Sequence, residues 1–254
     1  MLQNRVIPCL LIQDNKLVKT VKFKNPKYIG DPVNAIKIYN EKEVDELIVV
    51  DISKKRYENG PNFNLIKQMA DECFMPVCYG GGISNIDQIQ KILKIGIEKI
   101  ALNTAIMLDT QLISQAANKF GSQCIVVALD IKKNWLGKYK VTFNSGDQMI
   151  NTDIVDFAKT AENAGAGEII INNIDRDVTW EGFDIEMIRK ITSNVSIPVI
   201  AAGGAGNLSH IKDAITIGKA SAVAIGSMAV YQSKGMGVLI NFPKTKVLEE
   251  INNL

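Results

Sequence analysis

The chain has 254 residues, of which 46% are hydrophobic and 22% charged, and its net charge is +2. That is the composition of a folded protein with a sizeable core; it excludes a disordered or fibrous chain and a global charge that would draw nucleic acid or an acidic membrane. No apolar run approaches the roughly 18 residues of a membrane helix, and the short run behind Arg5 is no secretory signal, so no membrane partner and a cytoplasmic location are expected.

In chain order, eight short apolar runs read as strands: 6–11, 46–51, 76–79, 99–102, 125–130, 168–173, 198–201 and 222–225. Each is apolar on both faces, as parallel strands covered by helices are. Between them lie stretches with helical spacing, such as Ile86, Ile89, Ile92 and Leu93, or Val155 and Ala158. Eight strand–helix units predict an α/β fold, a single (β/α)8 TIM barrel over residues 1–254. After the first run come Lys16, Lys19, Lys22, Lys24 and Lys27, which mark either a solvated loop or one that meets an anionic ligand.

The chain also repeats itself. "PVCYGGGISNIDQIQKILKIG" at 76–96 matches "PVIAAGGAGNLSHIKDAITIG" at 198–218, an offset of 122 residues (198 − 76). At the same offset "DELIVVDIS" faces "GEIIINNID", Glu46 faces Glu168, Gly60 faces Gly182 and Asp31 faces Asp153. An ungapped match of this length predicts a half-barrel duplication, with halves of about 1–122 and 123–254.

Each half carries a glycine turn after its third strand, Gly80-Gly81-Gly82 and Gly203-Gly204. Glycine lets backbone approach a ligand, and the helices expected from Ser84-Asn85 and Gly206-Asn207 offer free N–H groups to an anion. The fourth strand of each half ends in small or hydroxyl residues, "LNTA" and "IGSMA". Two phosphate sites across one mouth would suit a ligand with a phosphate at each end, although simple tight turns give the same glycine pattern.

Barrel chemistry sits at the carboxyl ends of strands, where Asp51, Asp130 and Asp177 fall. Asp130 follows the apolar Ile125–Leu129 and is either an acid–base group raised by desolvation or a turn cap. Asp175 and Arg176 are expected to pair within their loop. At the opposite ends Arg5, Glu46, Lys99 and Glu168 open four strands, predicting a ring of two acids and two bases in place of ordinary solvated strand starts. Cys9, Cys73, Cys78 and Cys124 have no zinc or redox spacing and are expected to be free, reduced and buried, the state expected in the cytoplasm. With His210 the lone histidine and no metal or cofactor motif, acid–base work falls to Asp, Glu, Lys or Cys.

Across almost the whole chain these residues resemble the cyclase subunit family of imidazole glycerol phosphate synthase (HisF-like). The stretches that carry the resemblance include "RVIPCL", "VKTVKF", "DELIVVDI", "GGGI", "LNTA", "FGSQCIVVALD", "GAGEIIIN", "IDRD" and "AAGGAG". The resemblance implies a duplicated (β/α)8 barrel, two phosphate sites and a glutaminase partner on the amino-terminal face that sends ammonia through the barrel. It implies that Arg5, Glu46, Lys99 and Glu168 form the ammonia gate and that Lys19 lies on a mobile first loop. It places Gly82, Asn103, Thr104, Gly203 and Gly204 at phosphate, Asp51 and Asp177 at the active-site mouth, and Asp130 as one catalytic carboxylate. Three positions depart from the family pattern: Leu11 stands where it has the other catalytic Asp, Val178 where it has Gly, and Gly226 where it has Ser. Asp14 is a poor substitute for the lost acid; Trp135 and Trp180, in top-face loops, are candidate contacts to a different substrate. The expected function is an ammonia-using synthase subunit turned from ring closure to amidation of a nucleotide-linked or surface-polysaccharide sugar. The alternatives are an authentic cyclase and an idle barrel that activates a glutaminase.

Overall fold

The protein is described by a computed structural model over residues 4–243. Residues 1–3 and 244–254, assigned to the barrel's ends from sequence, lie outside the described residues. Eight parallel strands close on themselves: Arg5–Gln13, Leu47–Asp51, Val77–Gly80, Lys99–Leu102, Ile125–Lys133, Glu168–Asn173, Val199–Ala202 and Ala222–Ile225. The first pairs with the eighth (Arg5 opposite Ala222) and with the second (Cys9 opposite Ile48), and the fifth pairs with the sixth (Asp130 opposite Asn172). The expected TIM barrel is therefore present.

Alternation along each strand splits the apolar residues into two cores. Ile7, Ile48, Cys78, Val126, Ile170 and Ile200 meet inside the barrel. Leu10, Leu47, Tyr79, Ile100, Val127 and Ile169 instead pack outward with the helices, which is why the runs are apolar at consecutive positions.

Helix starts follow side-chain chemistry. Asp31 accepts from the N–H of Asn34, Asn62 from Leu65 and Asn85 from Gln88; Asp153, Asp184 and Asn207 do the same for Val155, Met187 and His210. The helices Ile86–Ile95 and Leu208–Thr216 thus begin where the sequence pattern puts them, each just after its asparagine.

Two loops are more ordered than their sequence suggests. The lysine-rich segment after the first strand is an antiparallel hairpin, Lys16–Val21 with Lys24–Gly30. The fifth strand does not end at Asp130 but runs to Lys133, because Tyr139–Phe143 folds back on it antiparallel. All four cysteines are free, but of the expected buried thiols only Cys78 is fully buried; Cys9, Cys73 and Cys124 are half-buried. No helix among the described residues is long and apolar enough to cross a membrane.

Candidate active site at the carboxyl ends of the strands

A cavity of about 460 Å³ opens at the carboxyl ends of the barrel strands. Lys19, Asp51, Gly82, Asn103, Thr104, Asp130, Asp177, Gly203 and Gly204 all line it, so residues spread over most of the chain meet in one space. Leu11 lines it too, because the inward positions of the first strand are Arg5, Ile7, Cys9, Leu11 and Gln13; the strand thus reaches the cavity with an apolar side chain.

Asp130 projects from the middle of the long fifth strand. Its Oδ1 accepts from Asn172 Nδ2 at 3.1 Å and its Oδ2 from Asn103 Nδ2 at 3.2 Å. Desolvation pushes its pKa up from 3.8 to about 7, against the two asparagine hydrogen bonds and the Arg56 cation, and with help from the Asp177 charge. A carboxyl poised near neutrality can both give and take a proton. It is no turn cap: its partners are the side chains of Asn172 in the sixth strand and Asn103 just after the fourth.

The other acids are tied differently. One Asp51 oxygen accepts from the Ser53 N–H at 2.8 Å. Asp177 Oδ1 is paired with Lys19 Nζ at 2.9 Å, while its Oδ2 is buried with no hydrogen-bond partner among the described residues. This ion pair fastens the first-loop hairpin to the loop after the sixth strand.

The two glycine turns use positive φ: +109° and +71° at Gly81 and Gly82, and +88° and +109° at Gly203 and Gly204. A Cβ at Gly81 would lie 2.2 Å from the Asp51 carbonyl, and one at Gly204 2.1 Å from that of Gly182, so neither turn has room for a side chain. Asn103 and Thr104 stand beside the first turn, with Thr104 Oγ1 donating to Asn103 Oδ1.

Several sequence expectations change here. The hydroxyl missing at Gly226 is supplied by the next residue: Ser227 is buried, lines the cavity, and its Oγ has no partner among the described residues. Gly226 also leaves room for Lys19, whose Nζ would stand 3.3 Å from a Cβ there. Trp135 is 90% exposed, and neither it nor Trp180 lines the cavity. Asp14 is exposed at a hairpin turn and does not line it either. Asp175 does not form an ion pair with Arg176; it accepts from the Lys133 N–H.

Val178 lines the cavity with φ +62°. A β-branched residue in the left-handed region is strained by about 1–2 kcal/mol. Val178→Gly is therefore expected to hold or raise the urea midpoint despite the freedom it adds to the unfolded chain. A clear drop in the midpoint would contradict this.

At the other mouth Arg5, Glu46, Lys99 and Glu168 close a four-membered ring. Arg5 bonds to both acids, at 2.6 Å to Glu168, and Lys99 Nζ reaches Glu46 and Glu168 at 2.9 Å each. Burial works against both cations, yet the two glutamates hold Arg5 and Lys99 above their ordinary pKa values. The apolar inner core, with Cys78 in it, lies between this ring and the cavity.

Sequence reading also missed Arg56. It opens the short helix Arg56–Asn59 in the segment after the second strand, lines the cavity and is 9% exposed. Nothing in "SKKRYEN" separates an inward arginine from its exposed lysine neighbours.

Fold and site together define a (β/α)8 barrel of the enzyme type, with its ionisable groups gathered at the carboxyl ends of the strands. The chain belongs to the "Histidine biosynthesis protein" family, whose pattern matches residues 5–235, and within it is HisF-like. It is 48% identical over 249 residues to a Pseudomonas aeruginosa protein named "Putative imidazole glycerol phosphate synthase subunit hisF2", covering 98% of this chain and 99% of that one. A Leptospira borgpetersenii protein named "Putative imidazole glycerol phosphate synthase subunit HisF" is 47% identical over 244 residues, 96% of each chain. A Vibrio vulnificus protein named "Putative imidazole glycerol phosphate synthase subunit hisF3" is 43% identical over 254 residues, 98% of each chain.

Proposed function

We propose that this HisF-like barrel is the ammonia-using subunit of a glutamine amidotransferase that amidates a sugar, converting an acetamido group to an acetamidino group. The observation that carries the reading is Leu11 on the cavity wall, where the resembling family has its second catalytic carboxylate. Ring closure of the histidine-pathway substrate divides proton removal and delivery between two acids. Amidine formation asks less. With the acetamido oxygen first phosphorylated and the amide N–H proton lost, ammonia adds to the imidate carbon and its nitrogen loses one proton. The C–O bond breaks as C=N re-forms, the oxygen leaving as phosphate that takes up a proton. One carboxyl near pH 7, Asp130, can take the ammonia proton and give one to the leaving phosphate. An unactivated amide holds its oxygen tightly, so the oxygen would first be activated by a phosphoryl donor and leave as phosphate.

A glutaminase partner is placed on the amino-terminal face. The ion-paired ring supports this, as does Phe74, 89% exposed beside the start of the third strand. Ammonia would enter past Arg5, Glu46, Lys99 and Glu168 and cross the apolar inner core. The two halves are read as one duplicated unit. In support, the helix caps Asp31 and Asp153, Asn62 and Asp184, and Asn85 and Asn207 recur at the sequence offset of the repeat.

The test is purified protein with ammonia and the histidine-pathway substrate. No ring-closing turnover is expected, and normal cyclase turnover would overturn the reading. The names of the relatives favour a second reading, an authentic cyclase. Rescue of a histidine auxotroph lacking the cyclase would establish it.

A further inference from the structure

Arg56 differs from the other buried cations. Arg5, Lys19 and Lys99 each hold a carboxylate. Arg56 has neutral acceptors only: Nη1 donates to the carbonyls of Ile52 at 3.3 Å and Ser53 at 2.9 Å, and Nη2 donates to Ser145 Oγ at 3.1 Å. Among the described residues no ion pair includes it. A guanidinium taken out of water with no carboxylate in contact is costly, and an anionic ligand offsets that cost.

Its place indicates which anion. Arg56 lies against the first glycine turn, since a Cβ at Gly82 would stand 2.6 Å from its carbonyl oxygen and 3.3 Å from its Cβ. The turn and Thr104, which line the cavity, can hold one phosphoryl group. The guanidinium fork beside them is suited to the oxygens of a second. Next in sequence, the Tyr57 ring packs with its centroid 4.9 Å from Arg56 Cζ and is 37% exposed. Tyr57 and Thr104 line both the cavity and an adjoining groove of about 690 Å³, bordered by Ser84, Asn85, Leu112 and Gln115. A planar base leaving the diphosphate would meet the tyrosine ring and the polar groups of that groove.

We infer that Arg56, the first glycine turn and Tyr57 form a nucleoside diphosphate site, which brings the acceptor sugar to Asp130 on a nucleotide carrier. This rests on the amidation reading and names its substrate class.

The test is calorimetric titration of the full chain with UDP, UMP, inorganic phosphate and inorganic pyrophosphate. UDP is expected to bind at least about tenfold more tightly than UMP, the gain typical of added charge-assisted hydrogen bonds. Arg56→Gln removes that advantage and leaves UMP within about threefold of its wild-type affinity. Arg56→Lys, which keeps the charge without the fork, falls between. Tyr57→Ala weakens UDP but not pyrophosphate, and it carries the test if Arg56→Gln does not fold. Equal affinity for UDP and UMP overturns the inference. So does an unchanged UDP affinity in Arg56→Gln, or an equal loss for UDP, UMP and phosphate, which would make Arg56 a loop staple only. Failure here is distinct from failure of the amidation reading, which cyclase turnover alone decides.

Discussion

Asp130→Asn is expected to cut ammonia-dependent product formation by about 10²–10⁴-fold, the usual effect of losing a positioned acid or base. The wild-type pH profile should centre near neutrality, where this carboxyl titrates at about 7, and the variant should lose that inflection. Stability provides an independent readout. Between 3.8 and about 7 the unfolded carboxyl is ionised while the folded one holds its proton. The folded state then binds more protons, so stability falls as pH rises through that window and is flat above it, by on the order of a few kcal/mol in total. Urea denaturation at pH 5 and pH 8 should show the slope in wild type and a flatter response in Asp130→Asn. Unchanged product formation in the variant would favour the barrel that only activates a glutaminase.

Arg5→Ala is the second large effect. It strips both glutamates of one of their two cations, with the Glu46 and Glu168 side chains only 4% and 11% exposed. Breaking a buried network this way typically costs about 3–5 kcal/mol. Urea unfolding at neutral pH checks it, and a loss below about 1 kcal/mol would place the ring in the class of weak surface pairs. Replacing all four ring residues by neutral side chains of similar size should cost less than Arg5→Ala alone, because no buried charge is left unpaired. On the proposed function, Arg5→Ala should disturb glutamine-driven product formation more than ammonia-driven formation.

The candidate site was partly legible in the sequence. Glu46 and Glu168 could be matched because the repeat aligns two strand starts, and a barrel brings all strand starts to one rim. Asp130 could be named as a strand-end acid, yet its raised pKa comes from burial, against the hydrogen bonds of Asn172 and Asn103, and both depend on distant parts of the chain. The stretch "IGSMA" offered a hydroxyl at the second phosphate turn, but only the backbone path shows that Ser227 carries it to the cavity wall beside Gly226. Trp135, a large aromatic in a top-face loop, is held out in solvent by the hairpin after the fifth strand, a direction that its local sequence does not show.

The sequence by itself determined the barrel. Consecutive apolar residues bounded by Asp or Asn caps and glycine turns leave parallel strands covered by helices as the architecture that buries both faces. It also determined that the first strand would bring Leu11, not a carboxylate, to its carboxyl end. Only the tertiary structure decided what the loops do: that Lys19 crosses to Asp177, that the fifth strand extends to Lys133, and that Arg56 turns inward with neutral partners. Strand identity follows from local periodicity, which a sequence displays. The direction of a loop side chain follows from partners more than a hundred residues away, such as Asp177 for Lys19, which local periodicity does not display.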